Sequence, residues 1–168
     1  MYKRHVVLVE DEAFLRSLLA EYLEQANFLV TTAATAADAR RAIKSVDPDA
    51  VVLDIDLGPG PNGLDIGEAL LAHSADIAVV YLTALSDVRF LDQVGRKIHP
   101  RAAYLNKTRI SDGSVLVEAL ESVLQEKDIS AYRHDKDGER PLANLSLTQI
   151  QILKMVAEGK TNQQIADL

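Results

Sequence analysis

Short apolar runs alternate along the chain with longer stretches in which apolar residues recur every three or four positions. The runs are rich in valine, isoleucine and leucine, which is typical of strands buried on both faces of a parallel sheet. They cover residues 6–9, 28–31, 51–53, 77–82 and 102–105. The longer stretches predict amphipathic helices, beginning near Ala13 and ending with an apolar stripe from Val115 to Leu124. This alternation predicts a doubly wound α/β domain.

Polar residues follow four of the predicted strands, where each strand ends. Glu10 and Asp11 come after the first strand, Asp54 after the third and Thr83 after the fourth, and Lys107 stands just beyond the fifth. Open parallel sheets bind their ligands at the carboxyl ends of the strands. We therefore expect these side chains to meet in one pocket.

Three carboxylates in one pocket would repel one another unless they shared a proton or a divalent cation. Glu10, Asp11 and Asp54 offer only oxygen ligands, so the sequence predicts a site for Mg²⁺, with Mn²⁺ as the second choice. Lys107 supplies a mobile positive charge and Thr83 a hydroxyl donor. A carboxylate nucleophile with these groups around it is suited to phosphoryl transfer.

These residues, in this order, resemble the receiver domain of two-component response regulators over the first three quarters of the chain. Asp54 stands at the family's phosphoacceptor position, and Glu10 and Asp11 stand at its acidic pair. Thr83 matches the switch hydroxyl and Lys107 the phosphate-contacting lysine. The resemblance implies a flavodoxin-like fold with five parallel strands in the order 2-1-3-4-5.

The resemblance also assigns further roles around the pocket. It implies that the metal is held by Asp11, Asp54 and the backbone carbonyl of Asp56, with Glu10 acting through water. Tyr104 falls at the family's aromatic switch position. Two features depart from the family pattern: Thr108 follows the lysine where proline is usual, and the loop after Asp54 is about one residue longer.

In this family a histidine kinase transfers a phosphoryl group to the aspartate, here Asp54, and the protein is a signalling protein rather than an enzyme. Lys107 and Thr83 would then close on the phosphoryl group, and Tyr104 would move inward. The surface formed by a fourth helix, expected over residues 87–97, with the fifth strand and the last helix dimerises in the family. A phosphorylation-dependent homodimer is therefore expected.

The chain changes character after residue 126. We expect a receiver domain over 1–126, a polar linker over 127–144 and a helical fragment over 145–168. The fragment resembles the start of a LuxR-type helix-turn-helix, with capping boxes at Thr148–Gln151 and Thr161–Gln164. Its apolar stripe would contain Ile152, Leu153 and Val156. The recognition helix is missing from this fragment, so we expect transcriptional output and DNA binding only in a version with the complete domain.

The amino-acid composition bears on disulfide bonding, on nucleic-acid binding and on the expected location of the protein. The chain has 168 residues, no cysteine and a formal charge of −7, which excludes a disulfide framework and disfavours unaided binding to nucleic acid. No apolar run is long enough to cross a membrane and no signal peptide is evident, so a cytoplasmic protein is expected. The four histidines show no paired spacing and are interpreted as structural or exposed.

Two enzyme classes remain as alternatives. Asp54 and Asp56 also fit the paired aspartates of haloacid-dehalogenase-type phosphatases, although those carry the pair on their first strand. A Toprim-type metal nuclease pairs an early glutamate with a later Asp-x-Asp motif, but it does not require Thr83 and Lys107 at these positions. Turnover separates the classes, because a receiver is labelled about once per molecule whereas an enzyme consumes excess substrate.

Overall fold

The computed structural model of the chain describes residues 2–84, 97–110, 112–136 and 144–166. The described residues form two compact units. The first unit contains the described residues up to Ala84 together with Ile98–His134, and the second contains the two C-terminal helices. The helix expected over 87–97 lies outside the described residues, apart from Lys97.

Five parallel strands build the first unit. They are β1 (His5–Val9), β2 (Leu29–Ala33), β3 (Ala50–Asp54), β4 (Ala78–Thr83) and β5 (Ala103–Asn106). Their order in the sheet is β2-β1-β3-β4-β5, so the expected strand order is confirmed. The strands β3, β4 and β5 are buried along their whole length, as their continuous apolar runs predict.

Within the described residues, four α-helices connect or follow these strands. They are α1 (Ala13–Gln25), α2 (Ala36–Val46), α3 (Gly63–His73) and α4 (Ser114–Leu124). On one face of the sheet, alternate strand residues pack with α1 and α4 into a continuous core. Its members include Leu19, Leu23, Leu116, Leu120, Val6, Leu8, Val52, Val80, Leu82 and Leu105. This core fixes the ends of β1, β3, β4 and β5 relative to one another.

Local signals set the ends of the helices. The Thr35 side chain accepts a hydrogen bond from the Asp38 backbone N–H and so caps the start of α2. Asp47 ends the same helix in the left-handed region, with φ of 45°. Asn62 and Asp65 form a reciprocal capping box at the start of α3. The Gly/Pro loop after Asp54 therefore leads into a helix with a well-defined start.

The second unit contains α5 (Leu147–Ala157) and α6 (Asn162–Ala166). The predicted capping box at Thr161–Gln164 is confirmed. The box predicted at Thr148–Gln151 is wrong, because the helix begins earlier and Ser146 with Gln149 forms the box instead.

The predicted apolar stripe of α5 also needs correction. Ile150 is buried, whereas Ile152 and Val156 are 37% and 57% exposed. These two residues lie two and six positions after Ile150, which places them on the far side of a helix with 3.6 residues per turn. Leu153 is 40% exposed as well.

Across the described ranges, no helix has the length and apolar character needed to span a membrane.

Candidate functional site

Three carboxylates meet at the carboxyl edge of the sheet. Glu10 and Asp11 follow β1, and Asp54 is the last residue of β3. One side-chain oxygen of each lies within 4.8 Å of the others. Glu10 and Asp54 are buried, whereas Asp11 is exposed. The structure thus brings together the side chains that the sequence predicts as metal ligands.

Lys107 joins this cluster from the end of β5. It begins a short 3₁₀ helix, Lys107–Arg109, and its Nζ atom lies 2.6 Å from Glu10 Oε2 and 3.0 Å from Asp54 Oδ2. Burial alone would lower the pKa of Lys107, but its contacts with the two carboxylates outweigh burial and raise that pKa. Lys107 therefore stays charged beside Asp54.

Burial disfavours the ionised forms of both inner carboxyl groups. It raises the pKa of Glu10 to about 7, against the lowering effect of Lys107, and the nearby charge of Asp54 raises it further. Burial also raises the pKa of Asp54, with Lys107 again acting in the opposite direction. The positive charge of Lys107 alone therefore does not offset the effect of burial on the Glu10 and Asp54 carboxylates, so the site favours an additional cation.

The loop after β1 positions Asp11 without using it as a helix cap. Glu12 occupies the cap position of α1, and its side chain makes no capping hydrogen bond. The Arg16 guanidinium donates to the backbone carbonyls of Glu10 at 2.7 Å and Asp11 at 3.2 Å. Arg16 was not identified from the sequence, since an arginine on an amphipathic helix usually faces solvent.

The backbone around Asp54 is held by the residues that follow it. The Asp56 N–H donates to Asp54 Oδ1 at 3.2 Å, and the Asp56 side chain is exposed. The Gly63 N–H donates to the Ile55 carbonyl at 3.0 Å. A Cβ atom on Gly63 would lie 2.1 Å from the Asp54 carbonyl oxygen, so only glycine allows α3 to begin this close to the acceptor.

Thr83 and Tyr104 lie on neighbouring strands. Thr83 ends β4, is fully buried and pairs in register with Asn106, while Tyr104 pairs with Tyr81. Tyr104 is only 2% exposed. Its ring is already buried in this structure, so no inward movement is required to bury it.

Asn106 shapes the turn that carries Lys107. Its Oδ1 atom accepts hydrogen bonds from the Thr108 backbone N–H at 2.9 Å and from the Thr108 hydroxyl at 2.7 Å. This double contact closes the turn at the position where Thr108 replaces the usual proline. The Asn-x-Thr spacing around Lys107 was the available sequence signal for this turn.

Comparisons with known proteins agree with this geometry. Residues 6–97, more than half of the chain, match the family model of the response regulator receiver domain. The chain therefore belongs to the response regulator receiver family. Its first unit has the fold of that family, and its site contains the acidic and lysine side chains described above.

Among relatives, the transcriptional regulatory protein LiaR of Bacillus subtilis is 27% identical, over 96% of this chain and 80% of LiaR. The DNA-binding transcriptional activator DevR/DosR of Mycobacterium tuberculosis is also 27% identical, over 96% of this chain and 78% of its own length. Because each alignment covers 96% of this chain, both extend beyond its receiver part.

Solved structures show the same fold. A LuxR-family DNA-binding response regulator from Staphylococcus aureus superposes with a TM-score of 0.59 and 23% identity, over 72% of this chain and 98% of that one. The response regulator TrrA of Thermotoga maritima, in complex with Mg²⁺ and BeF, superposes with a TM-score of 0.58 and 24% identity, over 72% of this chain and 99% of that one. The family match favours neither the phosphatase nor the nuclease alternative.

Proposed function

We propose that this chain is a phosphorylation-dependent response regulator in which Asp54 accepts a phosphoryl group from a histidine kinase. The observation that supports this role is the position of Lys107 Nζ, 3.0 Å from Asp54 Oδ2, beside the acidic pair formed by Glu10 and Asp11. The buried Asp54 carboxylate can accept a phosphoryl group, and the charge of Lys107 beside it can stabilise the phosphoryl oxygens.

The transfer consists of one displacement at phosphorus. An Asp54 carboxylate oxygen attacks the phosphorus of a phosphohistidine, the P–N bond breaks, and the imidazole leaves with its bonding electron pair. The product is an acyl phosphate on Asp54, which carries about two negative charges where the carboxylate carried one. Lys107 then offsets charge on the phosphoryl oxygens, and the Thr83 hydroxyl donates to one of them.

The residues present fit a divalent cation. The proposed ligands are Glu10, Asp11, Asp54 and the backbone carbonyl of Asp56, and all their donor atoms are oxygens, as Mg²⁺ or Mn²⁺ requires. Burial has raised the pKa of Glu10 and Asp54, which a cation would reverse. When bound, the cation neutralises charge on the transferred group.

The proposed output is transcriptional. The relatives named above are transcriptional or DNA-binding regulators, and α5 and α6 lie where the sequence resembles a LuxR-type helix-turn-helix. We propose domain boundaries at 1–126, 127–144 and 145–168, a homodimer through residues 87–97, β5 and α4, and action in the cytoplasm. Phosphorylation would shift the population of this dimer.

Acyl-phosphate labelling tests the proposed role of Asp54. The protein is incubated with a small radiolabelled acyl phosphate and Mg²⁺, and incorporated label is counted. The wild type should take up about one phosphoryl group per molecule, and Asp54→Asn should take up none, because an amide is a poor nucleophile. Asp76→Asn, an exposed aspartate before β4, serves as the control. Full labelling of Asp54→Asn, or continuous consumption of excess substrate, would contradict the proposal.

A further inference from the structure

The side chain of Asn106 closes a short loop of backbone around Lys107. Asn106 is the last residue of β5 and caps the 3₁₀ helix Lys107–Arg109, with its own backbone extended at φ of −87° and ψ of 121°. Its Oδ1 atom accepts from both the backbone N–H and the hydroxyl of Thr108. Lys107 therefore lies between two residues that are joined to each other by two hydrogen bonds.

Asn106 is itself held from the rest of the first unit. Its backbone N–H donates to His134 Nδ1 at 3.0 Å, and it pairs in register with Thr83 of β4. It is only 8% exposed, and Thr83 is fully buried. The turn that carries Lys107 thus begins at a fixed residue of the sheet.

Lys107 needs such a fixed base because its side chain is long and has several rotatable bonds. Its Nζ atom lies 2.6 Å from Glu10 Oε2 and 3.0 Å from Asp54 Oδ2, so one ammonium group contacts two carboxylates. Holding a lysine in one such geometry costs side-chain entropy, and a fixed backbone limits that cost. A displacement of about 1 Å in a group that assists a reaction can cost about a hundredfold in rate.

We propose that Asn106 is a positioning residue for phosphoryl transfer to Asp54, and that it acts by fixing the backbone of Lys107. This inference rests on the proposed function, in which Lys107 offsets charge on the phosphoryl oxygens. Proline, the usual residue after the lysine, restricts the backbone through its ring. In this chain Thr108 stands there instead, and its two hydrogen bonds to Asn106 supply the restriction.

A purely structural role of Asn106 leads to different expectations. Thr108 is exposed, so water can bond to its N–H when the Asn106 side chain is removed, and the fold should lose little stability. The charge of Lys107 opposes a cation at Glu10 and Asp54, so a displaced Lys107 should not weaken Mg²⁺ binding. General loosening of the pocket would weaken it. Loss of transfer rate without loss of Mg²⁺ affinity therefore identifies positioning.

The rate of Asp54 labelling by a small radiolabelled acyl phosphate, at saturating Mg²⁺, tests the proposal. Asn106→Ala should label at least about fivefold more slowly than the wild type, the factor expected from the loss of about one hydrogen bond. Asn106→Ser differs from that variant by one oxygen, which can accept from the Thr108 N–H as a helix cap, and its rate should lie within about twofold of the wild type. Asn162→Ala, at an exposed position of α6, is the matched control and should label at the wild-type rate.

Calorimetric titration with Mg²⁺ supplies the second measurement. The dissociation constant of Asn106→Ala should be no higher than that of the wild type. Three results would overturn the inference: a folded Asn106→Ala variant that labels at the wild-type rate, equally slow labelling of Asn106→Ala and Asn106→Ser, or a Mg²⁺ dissociation constant that rises in proportion to the loss of rate.

Thr108→Val carries the test if Asn106→Ala does not fold. It keeps the side-chain shape and the backbone N–H but removes the hydroxyl that donates to Asn106 at 2.7 Å. Its labelling rate should fall at least about twofold, since the N–H contact remains, and a wild-type rate would then overturn the inference. Failure of the proposed function looks different, because the wild type would then take up no label on Asp54. Equal labelling of Asp54 in the wild type and the variants defeats only the positioning role.

Discussion

The Nζ atom of Lys107 lies 3.0 Å from Asp54 Oδ2, although the two residues are 53 positions apart in the sequence. The contact spans β4, because Asp54 ends β3 and Lys107 follows β5 at the same edge of the sheet. It depends on the register of three parallel strands. It also makes the site sensitive to substitutions at the lysine.

Lys107→Met should weaken the fold and should do so more at neutral than at acidic pH. The substitution keeps an apolar stem but leaves Glu10 and Asp54 without their cation, at a cost of about 1 to 3 kcal/mol at pH 7. At pH 5 a larger fraction of Glu10 is protonated, so the cost should be smaller. Urea unfolding at the two pH values measures the difference. Lys44→Met, at an exposed position of α2, is the control, and an equal loss for both variants would contradict the prediction.

Glu10→Gln should flatten the pH dependence of stability in metal-free buffer. Because the pKa of Glu10 is about 7 in the folded protein and 4.5 ordinarily, the folded state binds more protons between those pH values. The free energy of unfolding should therefore fall as the pH rises from about 4.5 to about 7, by roughly 3 kcal/mol at most.

Urea titrations in EDTA at several pH values measure this slope. Glu121→Gln, an exposed glutamate on α4, should retain the wild-type slope. Adding Mg²⁺ to the wild type should restore stability above pH 7, since the cation favours the ionised carboxylates. Identical slopes for Glu10→Gln and the wild type would show that Glu10 does not carry the effect.

Gly63→Ala should destabilise the protein and reduce labelling of Asp54. The added methyl group would lie 2.1 Å from the Asp54 carbonyl oxygen, so α3 or the acceptor loop must shift. Such overpacking costs about 1 to 3 kcal/mol. Ala69→Ser adds one heavy atom at an exposed position of the same helix and should change neither property. Thermal unfolding and acyl-phosphate labelling would be measured together, and wild-type labelling of Gly63→Ala would argue against this positioning role.

Asp56→Asn should change the lifetime of the phosphoryl group on Asp54. The Asp56 backbone N–H donates to Asp54 Oδ1, which holds residue 56 close to the acceptor. The Asp56 carboxylate can therefore repel the phosphoryl anion or orient a water molecule. We expect the decay rate to change by about twofold or more, since a charge at this distance contributes some tenths of a kcal/mol. Loss of label after removal of the donor gives the rate, with Asp76→Asn as the control. An unchanged rate would show that the side chain only faces solvent.

The order and chemistry of the site residues could be read from the sequence. Val/Ile/Leu runs that end at Glu10, Asp54 and Thr83 specify buried parallel strands and put their polar ends at one edge, because parallel strands share a direction. The capping box at Thr161–Gln164 likewise marked a helix start, since side-chain caps are short-range features.

Only the tertiary structure decided the contacts that depend on distant backbone. Gly63 must be glycine because α3 starts against Asp54, and the turn at Lys107 is closed by Asn106. Residues 128–134 show the limit most clearly. Their polar composition predicts a linker, because a segment with few apolar residues cannot form a core of its own. Arg133 is nevertheless buried beside β5. The contacts of Arg133 and His134 join residues far apart in the sequence, Tyr104, Asn106 and Ile98 among them, so they leave no periodic signal in the sequence.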